Sequence, residues 1–183
     1  MISLFLQDAI IAHLQETFRD YELNAKGGGR QQVKVFSQYL PQPRGATLKP
    51  KGDEPIVPQD YGPADIEANF PCIVVKLMDG QDREEGQLDQ ARTSVNLLVG
   101  VYDESPDCQG YRDVMNIIET VRQCFLSLPF RILGKKYKLE LPMKWSLFEE
   151  QPWPVYFGVM EMVWDAGRPM MQRVFEERRR SHV

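Results

Sequence analysis

Leu6, Ile10, Leu14 and Phe18 recur at every fourth position, Tyr21 follows, and Asp8, Gln15, Glu16 and Arg19 lie between them. The spacing predicts an amphipathic helix capped by Ser3 and ending near Asn24, because Lys26-Gly27-Gly28-Gly29-Arg30 has too much backbone freedom to continue it. Val33 and Val35 start a short strand towards Tyr39. Ile73, Val75 and Leu77 alternate with Cys72, Val74 and Lys76, a second strand. Val95, Leu97, Val99 and Val101 form the clearest strand pattern, with Ser94, Asn96, Leu98, Gly100 and Tyr102 opposite. Ser105-Pro106-Asp107 reads as a helix start with Pro near the first helical position. Tyr111, Val114, Ile118, Val121, Phe125 and Leu128 then step by three and four, one continuous helical stripe ending before Pro129.

The C-terminal third alternates with period two. Leu133-Gly134-Lys135 is a turn, and Tyr137, Leu139 and Leu141 face away from Lys136, Lys138 and Glu140. Pro142 interrupts before Met143, Trp145 and Leu147. Pro152-Trp153-Pro154 breaks the chain. Val155, Phe157, Val159 and Val163 then oppose Tyr156, Met160, Met162 and Trp164. Between the early and middle strands, seven of the 13 prolines fall in Pro41–Pro71, which predicts a long loop. Asp79-Gly80-Gln81-Asp82-Arg83-Glu84-Glu85-Gly86 reads as a polar, acidic connector. Short connectors between successive strands favour antiparallel pairing. The expectation is a single α+β domain over 1–168: one mainly antiparallel, mixed β-sheet of about four to six strands, with two main amphipathic helices on one face. The proline-rich loop spans 41–71, and 169–183 form a C-terminal arm.

Composition changes little in that picture. The 183 residues carry 22 Lys and Arg against 26 Asp and Glu, a formal charge of −4 that disfavours bulk phosphate-backbone binding. Three cysteines without a Cys-x-x-Cys pair argue for a reducing compartment and against a zinc ribbon. No membrane span and no signal peptide is expected. Charge is zoned: Lys26, Arg30, Lys34, Arg44, Lys49 and Lys51 precede the next acid, Asp53, whereas Asp79–Glu85 is acidic.

Chemistry-bearing motifs are sparse. The Gly27–Gly29 run follows a helix and lacks Gly-Lys-Ser/Thr, so a plain turn is favoured over an anion nest. His13, on the polar side of the first helix, and His182 have no partner at ligand spacing and read as surface residues. The acidic connector lacks the EF-hand rhythm. Cys108, at the expected helix start, is the best-placed thiol for a lowered pKa, while Cys72 and Cys124 read as small core residues. No Gly-x-Ser-x-Gly is present. No catalytic, cofactor-binding or metal residue and no cofactor is assigned. The aromatic group Trp145, Trp153, Tyr156, Phe157 and Trp164 is read mostly as core. The Pro-Trp-Pro corner, however, puts Trp153 on a loop, where interface anchors are common. Arg178-Arg179-Arg180, after two glutamates, reads as a solvated tail, with a docking arm or nucleic-acid contact as alternatives.

One resemblance gathers these pieces. Phe70-Pro71-Cys72-Ile73-Val74-Val75-Lys76-Leu77, a polar loop, Thr93-Ser94-Val95-Asn96-Leu97-Leu98-Val99-Gly100-Val101-Tyr102-Asp103 and Gln109-Gly110-Tyr111-Arg112-Asp113-Val114-Met115-Asn116-Ile117-Ile118 resemble the tail terminator proteins of long-tailed bacteriophages, of the lambda type and its prophage relatives. Leu141-Pro142-Met143-Lys144-Trp145 and Glu149-Glu150-Gln151-Pro152-Trp153-Pro154 are similar to prophage members. The long proline-rich stretch and Arg-rich tail exceed the compact lambda-type protein. The resemblance implies a structural, non-enzymatic protein. It would form a hexameric ring of itself, cap the tail tube protein and meet the head–tail connector protein, without membrane or specific nucleic acid. Its place would be the virion tail, and the host bacterial cytoplasm during assembly.

A ring needs two unlike surfaces per subunit. The expected contact residues are Asp82, Glu84 and Glu85 on the acidic stretch, Lys49 and Lys51 on the basic one, Trp153 at the corner and Arg178, Arg179 and Arg180 in the arm. Three alternatives stand beside this: a head-closure or tail-completion protein at the same junction, a small metal-dependent hydrolase or nuclease, and an adaptor that binds through the aromatic corner.

Overall fold

A computed structural model describes residues 2–41, 67–85 and 88–166, with residues 83–85 and 88–90 described by their backbone alone. Helix α1 (Ile2–Thr17) buries Leu6, Ile10 and Leu14 completely, as the four-residue spacing requires. It stops a full two turns before Asn24. The chain turns at Phe18–Tyr21 and enters a small hairpin of β1 (Glu22–Ala25) and β2 (Gly29–Gln32), with Ala25 opposite Gly29. Gly27 and Gly28 hold φ of +87° and +80°, which only glycine adopts at low cost, so the glycine run makes a tight hairpin turn.

The main sheet has six strands, β3 (Lys34–Ser37), β4 (Cys72–Glu85), β5 (Leu88–Tyr102), β6 (Ile132–Leu133), β7 (Tyr137–Leu147) and β8 (Val155–Asp165), in the order β3-β4-β5-β8-β7-β6. Strand β3 (Lys34–Ser37) pairs parallel with the start of β4 (Cys72–Glu85), and every other pairing is antiparallel. A parallel neighbour requires a crossover of a dozen residues or more, and residues 38–71 supply it. Residues 42–66, most of the expected proline-rich loop, lie outside the described residues, as do 167–183 with the expected arm.

Strands β4 and β5 (Leu88–Tyr102) correct the sequence reading most. The acidic stretch from Asp79 is not a connector: it is paired strand, from Asp79 opposite Ser94 out to Glu85 opposite Leu88. A bulge between Leu77 and Asp79 inserts Met78 and reverses the face on which successive side chains emerge.

Both helices pack on one face. That face presents Ile73 and Val75 of β4, Val95, Leu97, Val99 and Val101 of β5, and Tyr156, Met160, Met162 and Trp164 of β8 (Val155–Asp165). Helix α2 (Gly110–Leu126) buries Val114, Ile117, Ile118, Val121 and Phe125 against it. At about 1.5–3 kcal/mol per fully buried large side chain, these five residues dominate the docking of the helix. Phe125 meets Trp164 edge-on with ring centroids 5.4 Å apart, and its centroid lies 5.3 Å from that of His13. The helix begins at Gly110, not at Pro106, because Asp103 Oδ1 accepts bonds from Ser105 N and Oγ (3.0 and 2.6 Å) and Cys108 takes φ +54°, closing a turn first. Tyr111, the expected first member of the stripe, is 38% exposed.

A 3-10 turn (Pro129–Arg131) leads into β6 (Ile132–Leu133), and Gly134 and Lys135, both at positive φ, turn it into β7 (Tyr137–Leu147). Pro142 does not end β7. A register shift between Glu140 and Lys144 accommodates it, as expected for proline at a bulge or sheet edge. The Phe70–Pro71, Leu141–Pro142 and Trp153–Pro154 peptide bonds are cis. On the second sheet face a smaller cluster, Phe70, Cys72, Val74, Tyr102 and Val155, is flanked by Phe36, Leu40, Leu98 and Phe157.

Candidate functional site

The expected contact residues fall into three groups. Asp82 is exposed on the outer part of β4, and Glu84 and Glu85 continue that strand opposite Asp89 and Leu88. Trp153 sits 59% exposed in the turn before β8. Lys49, Lys51, Arg178, Arg179 and Arg180 lie outside the described residues, as does His182. The structure therefore brings together only the three acids.

Those acids sit on an arm. The last rung that β5 shares with β8 is Arg92 opposite Asp165, and β3 leaves β4 at Val75. Ala91 O still accepts from Ala166 N at 2.8 Å, and from Arg83 opposite Gln90 outwards the two strands pair only with each other among the described residues. A two-stranded ribbon is marginal by itself, and here it rises from a wide, well-packed base. The described part of the basic zone is already engaged: Lys26 pairs with Glu67 at 2.5 Å, and Lys34 Nζ donates to Gln31 Oε1 (2.9 Å) and Ala68 O (2.8 Å).

Amides at the sheet margin form a small network that sequence reading missed. Gln7, 5% exposed on α1, donates through Nε2 to Val75 O at 2.8 Å and to Gln38 Oε1 at 3.2 Å. Gln38, at φ +60°, accepts from Leu77 N at 2.9 Å and donates to Leu77 O at 3.2 Å. Its side chain thus takes the place of one more β3 residue and satisfies the outer edge of β4 just before the bulge. A single glutamine carries no sequence signal for such a role.

The exposed apolar side chains are also partly unforeseen. Trp145 (44%) and Trp153 are surface residues, whereas Tyr156 and Trp164 are core, so the expected aromatic group divides. Phe130 (87%), Leu141 (53%) and Phe148 (43%) join Trp145 on or beside β7.

One hollow of about 350 Å³ opens on the sheet face away from the helices, lined by Asp79, Gln81, Arg92, Ser94, Glu140, Leu141, Pro142 and Val163. Its carboxylates are held: Glu140 pairs with Arg92 at 2.9 Å, and Asp79 accepts from Ser94 Oγ at 2.8 Å. Among the described residues no group of three His, Cys, Asp or Glu could hold a metal ion, and no helix is long and apolar enough to cross a membrane.

The cysteines divide as expected for the two core members. Burial pushes the Cys72 thiol up to about 12 and the Cys124 thiol up to about 11. Cys108 is exposed, in the turn before α2. His13 is not a surface residue. It is partly buried beside Phe125, with its Nε2 enclosed and without a hydrogen-bond partner among the described residues.

No protein-family model matches the chain, and no curated protein matches it significantly.

Proposed function

We propose that this protein is a structural component of phage assembly: a tail terminator that closes into a ring, caps the tail tube and meets the head connector. The observation that carries the reading is the ribbon beyond Arg92 and Asp165, where β4 and β5 run on together and the sequence places Asp82, Glu84 and Glu85. The rest of the molecule is consistent with a scaffold for such contacts. One continuous hydrophobic core unites both helices with residues of six strands, and Trp153, Trp145 and Phe130 stand outside it. Exposed aromatics of this kind are typical interface anchors. The texture of residues 70–118 and of 141–154, similar to tail terminators, supplies the particular assembly.

Two experiments test the reading. Purified protein added to a growing tube of a long-tailed phage's tail tube protein should stop elongation and appear as a cap at one tube end in negative-stain images. Tubes that keep growing uncapped would refute it. Reversing Asp82, Glu84 and Glu85 together to lysine should weaken assembly while leaving the thermal melt of the domain in place; unchanged ring and tail yield would remove the ribbon from the mechanism.

A further inference from the structure

The segment between α2 and β7 differs from the rest of the chain in charge, exposure and backbone. From Thr120 to Leu139 there is no acid, and the stretch carries Arg122, Arg131, Lys135, Lys136 and Lys138 in a chain whose formal charge is −4. Arg122 is engaged by Glu119, and Lys138 stands opposite Asp165 of β8. Lys135 and Lys136 are exposed and form no ion pair among the described residues.

Phe130 is 87% exposed, the most exposed large apolar side chain among the described residues. It and Arg131 hold φ of +54° and +58°, two successive residues other than glycine in the left-handed region. Each such residue is unfavourable, and the surrounding structure must hold it there. Backbone strain thus keeps an apolar ring in water. Leu126 and Ile132, on either side of it in sequence, are exposed as well. The hairpin that follows is short. Strand β6 has two residues, about 7 Å at roughly 3.3 Å per residue, so the lysines of its turn and Phe130 at its base can meet one flat surface. Leu133 and Tyr137 pair on the buried face, which turns Ile132 and Lys138 outwards.

The shape of this turn selects its partner. Phe130 is a projection and not a groove, so it enters something instead of receiving it. A single ring at the tip with cations set back from it matches the order of layers in an anionic membrane, with charged headgroups outside and hydrocarbon beneath. Aromatic side chains favour that boundary. Trp145 and Trp153, by contrast, flank Glu149 and Glu150.

We infer that Phe130, Lys135 and Lys136 form a peripheral contact for an anionic lipid surface: Phe130 enters the apolar layer, and the two lysines meet the headgroup phosphates. This contact goes beyond the assembly reading and does not depend on it.

Sedimentation of the chain with lipid vesicles is the test. At about 0.1 M salt, where the Debye length of about 10 Å lets the local patch act instead of the net charge, vesicles of equal parts phosphatidylglycerol and phosphatidylcholine should bind the protein and pure phosphatidylcholine vesicles should not. Phe130→Ala should weaken partitioning about ten-fold. Lys135→Gln and Lys136→Gln together should weaken it about 25-fold. Phe130→Trp should hold the parent's level and show a larger blue shift of its emission on the mixed vesicles than the parent does. Thermal melts followed by circular dichroism should coincide for all variants, because the altered side chains are exposed. A parent that stays in the supernatant with both vesicle types at millimolar lipid overturns the inference. So does equal binding to both, or binding that neither Phe130→Ala nor the paired lysine changes weaken. Retention on immobilised poly-glutamate without vesicle binding also overturns it and puts an acidic polypeptide at this turn instead.

Discussion

Gly110 opens α2 directly against β8, and it has no room for a side chain. A Cβ built there would stand 2.5 Å from Tyr156 Cε2 and 2.9 Å from Asp103 Cβ. Carbon atoms rest comfortably at about 3.5–4.0 Å, so the contact must open by about 1 Å. Tyr156 is 4% exposed in a central strand and Asp103 is held by its own turn, so neither retreats freely. Overpacking of this kind costs about 1–3 kcal/mol. Alanine returns at most about 1 kcal/mol of helix propensity, and less than that in a first turn. Gly110→Ala should therefore lose about 1–2 kcal/mol, a fall in Tm of about 3–6 °C for a domain of this size. Gly29→Ala makes the same chemical change where a Cβ meets nothing within 4 Å and φ is not positive, and it should stay within about 0.5 kcal/mol of the parent. Urea and thermal melts of both variants decide the matter. A Gly110→Ala protein as stable as the parent, or one no worse than Gly29→Ala, would refute the claimed close approach of helix and strand.

Three further outcomes are expected. Trp164 is fully buried and packs edge-on against Phe125, so Trp164→Ala should cost about 3–5 kcal/mol by urea unfolding, and a loss below about 1 kcal/mol would contradict its place in the core. Titration with a thiol reagent at pH 8 should modify Cys108 quickly. Cys72, held near 12, and Cys124, near 11, should react only as pH rises or the protein unfolds, because the thiolate is the reacting form; three equally fast thiols would contradict the burial. Gln38→Ala removes the amide that satisfies Leu77 N and O and should cost about 1–2 kcal/mol, read by urea unfolding, with faster amide exchange at Leu77; unchanged exchange there would exclude the cap.

Elements with a strong local period were legible in the sequence. The stripe from Val114 to Phe125 and the alternation from Val95 to Val101 each bury one face, so composition and geometry agree position by position. What failed depended on partners far along the chain. Asp79–Glu85 looks like a connector because its residues are polar, yet it pairs rung by rung with Leu88–Ser94, and pairing is invisible to a local window. The bulge at Met78 hides the period further by reversing the faces. Likewise, the helix expected to reach Asn24 ends at Thr17 because Leu23 and Ala25 turn into the hairpin with β2, a contact that four-residue spacing cannot reveal. Proline misled twice in opposite senses: Pro142 lies inside a strand at its bulge, while Pro106 precedes a turn rather than a helix. Of the expected contact residues, Asp82 and Trp153 are exposed, a property their polar or loop setting did signal. The placement of β3 beside β4 and of β6 beside β7 was not legible at all, because it follows from strand order.

Closure into a ring is the central proposal, and light scattering of the chain during size-exclusion chromatography tests it most directly. The account predicts a closed assembly near the mass of six 21.2 kDa subunits that loses mass when Asp82, Glu84 and Glu85 are reversed together to lysine. A parent protein that elutes at 21.2 kDa at every concentration would contradict it.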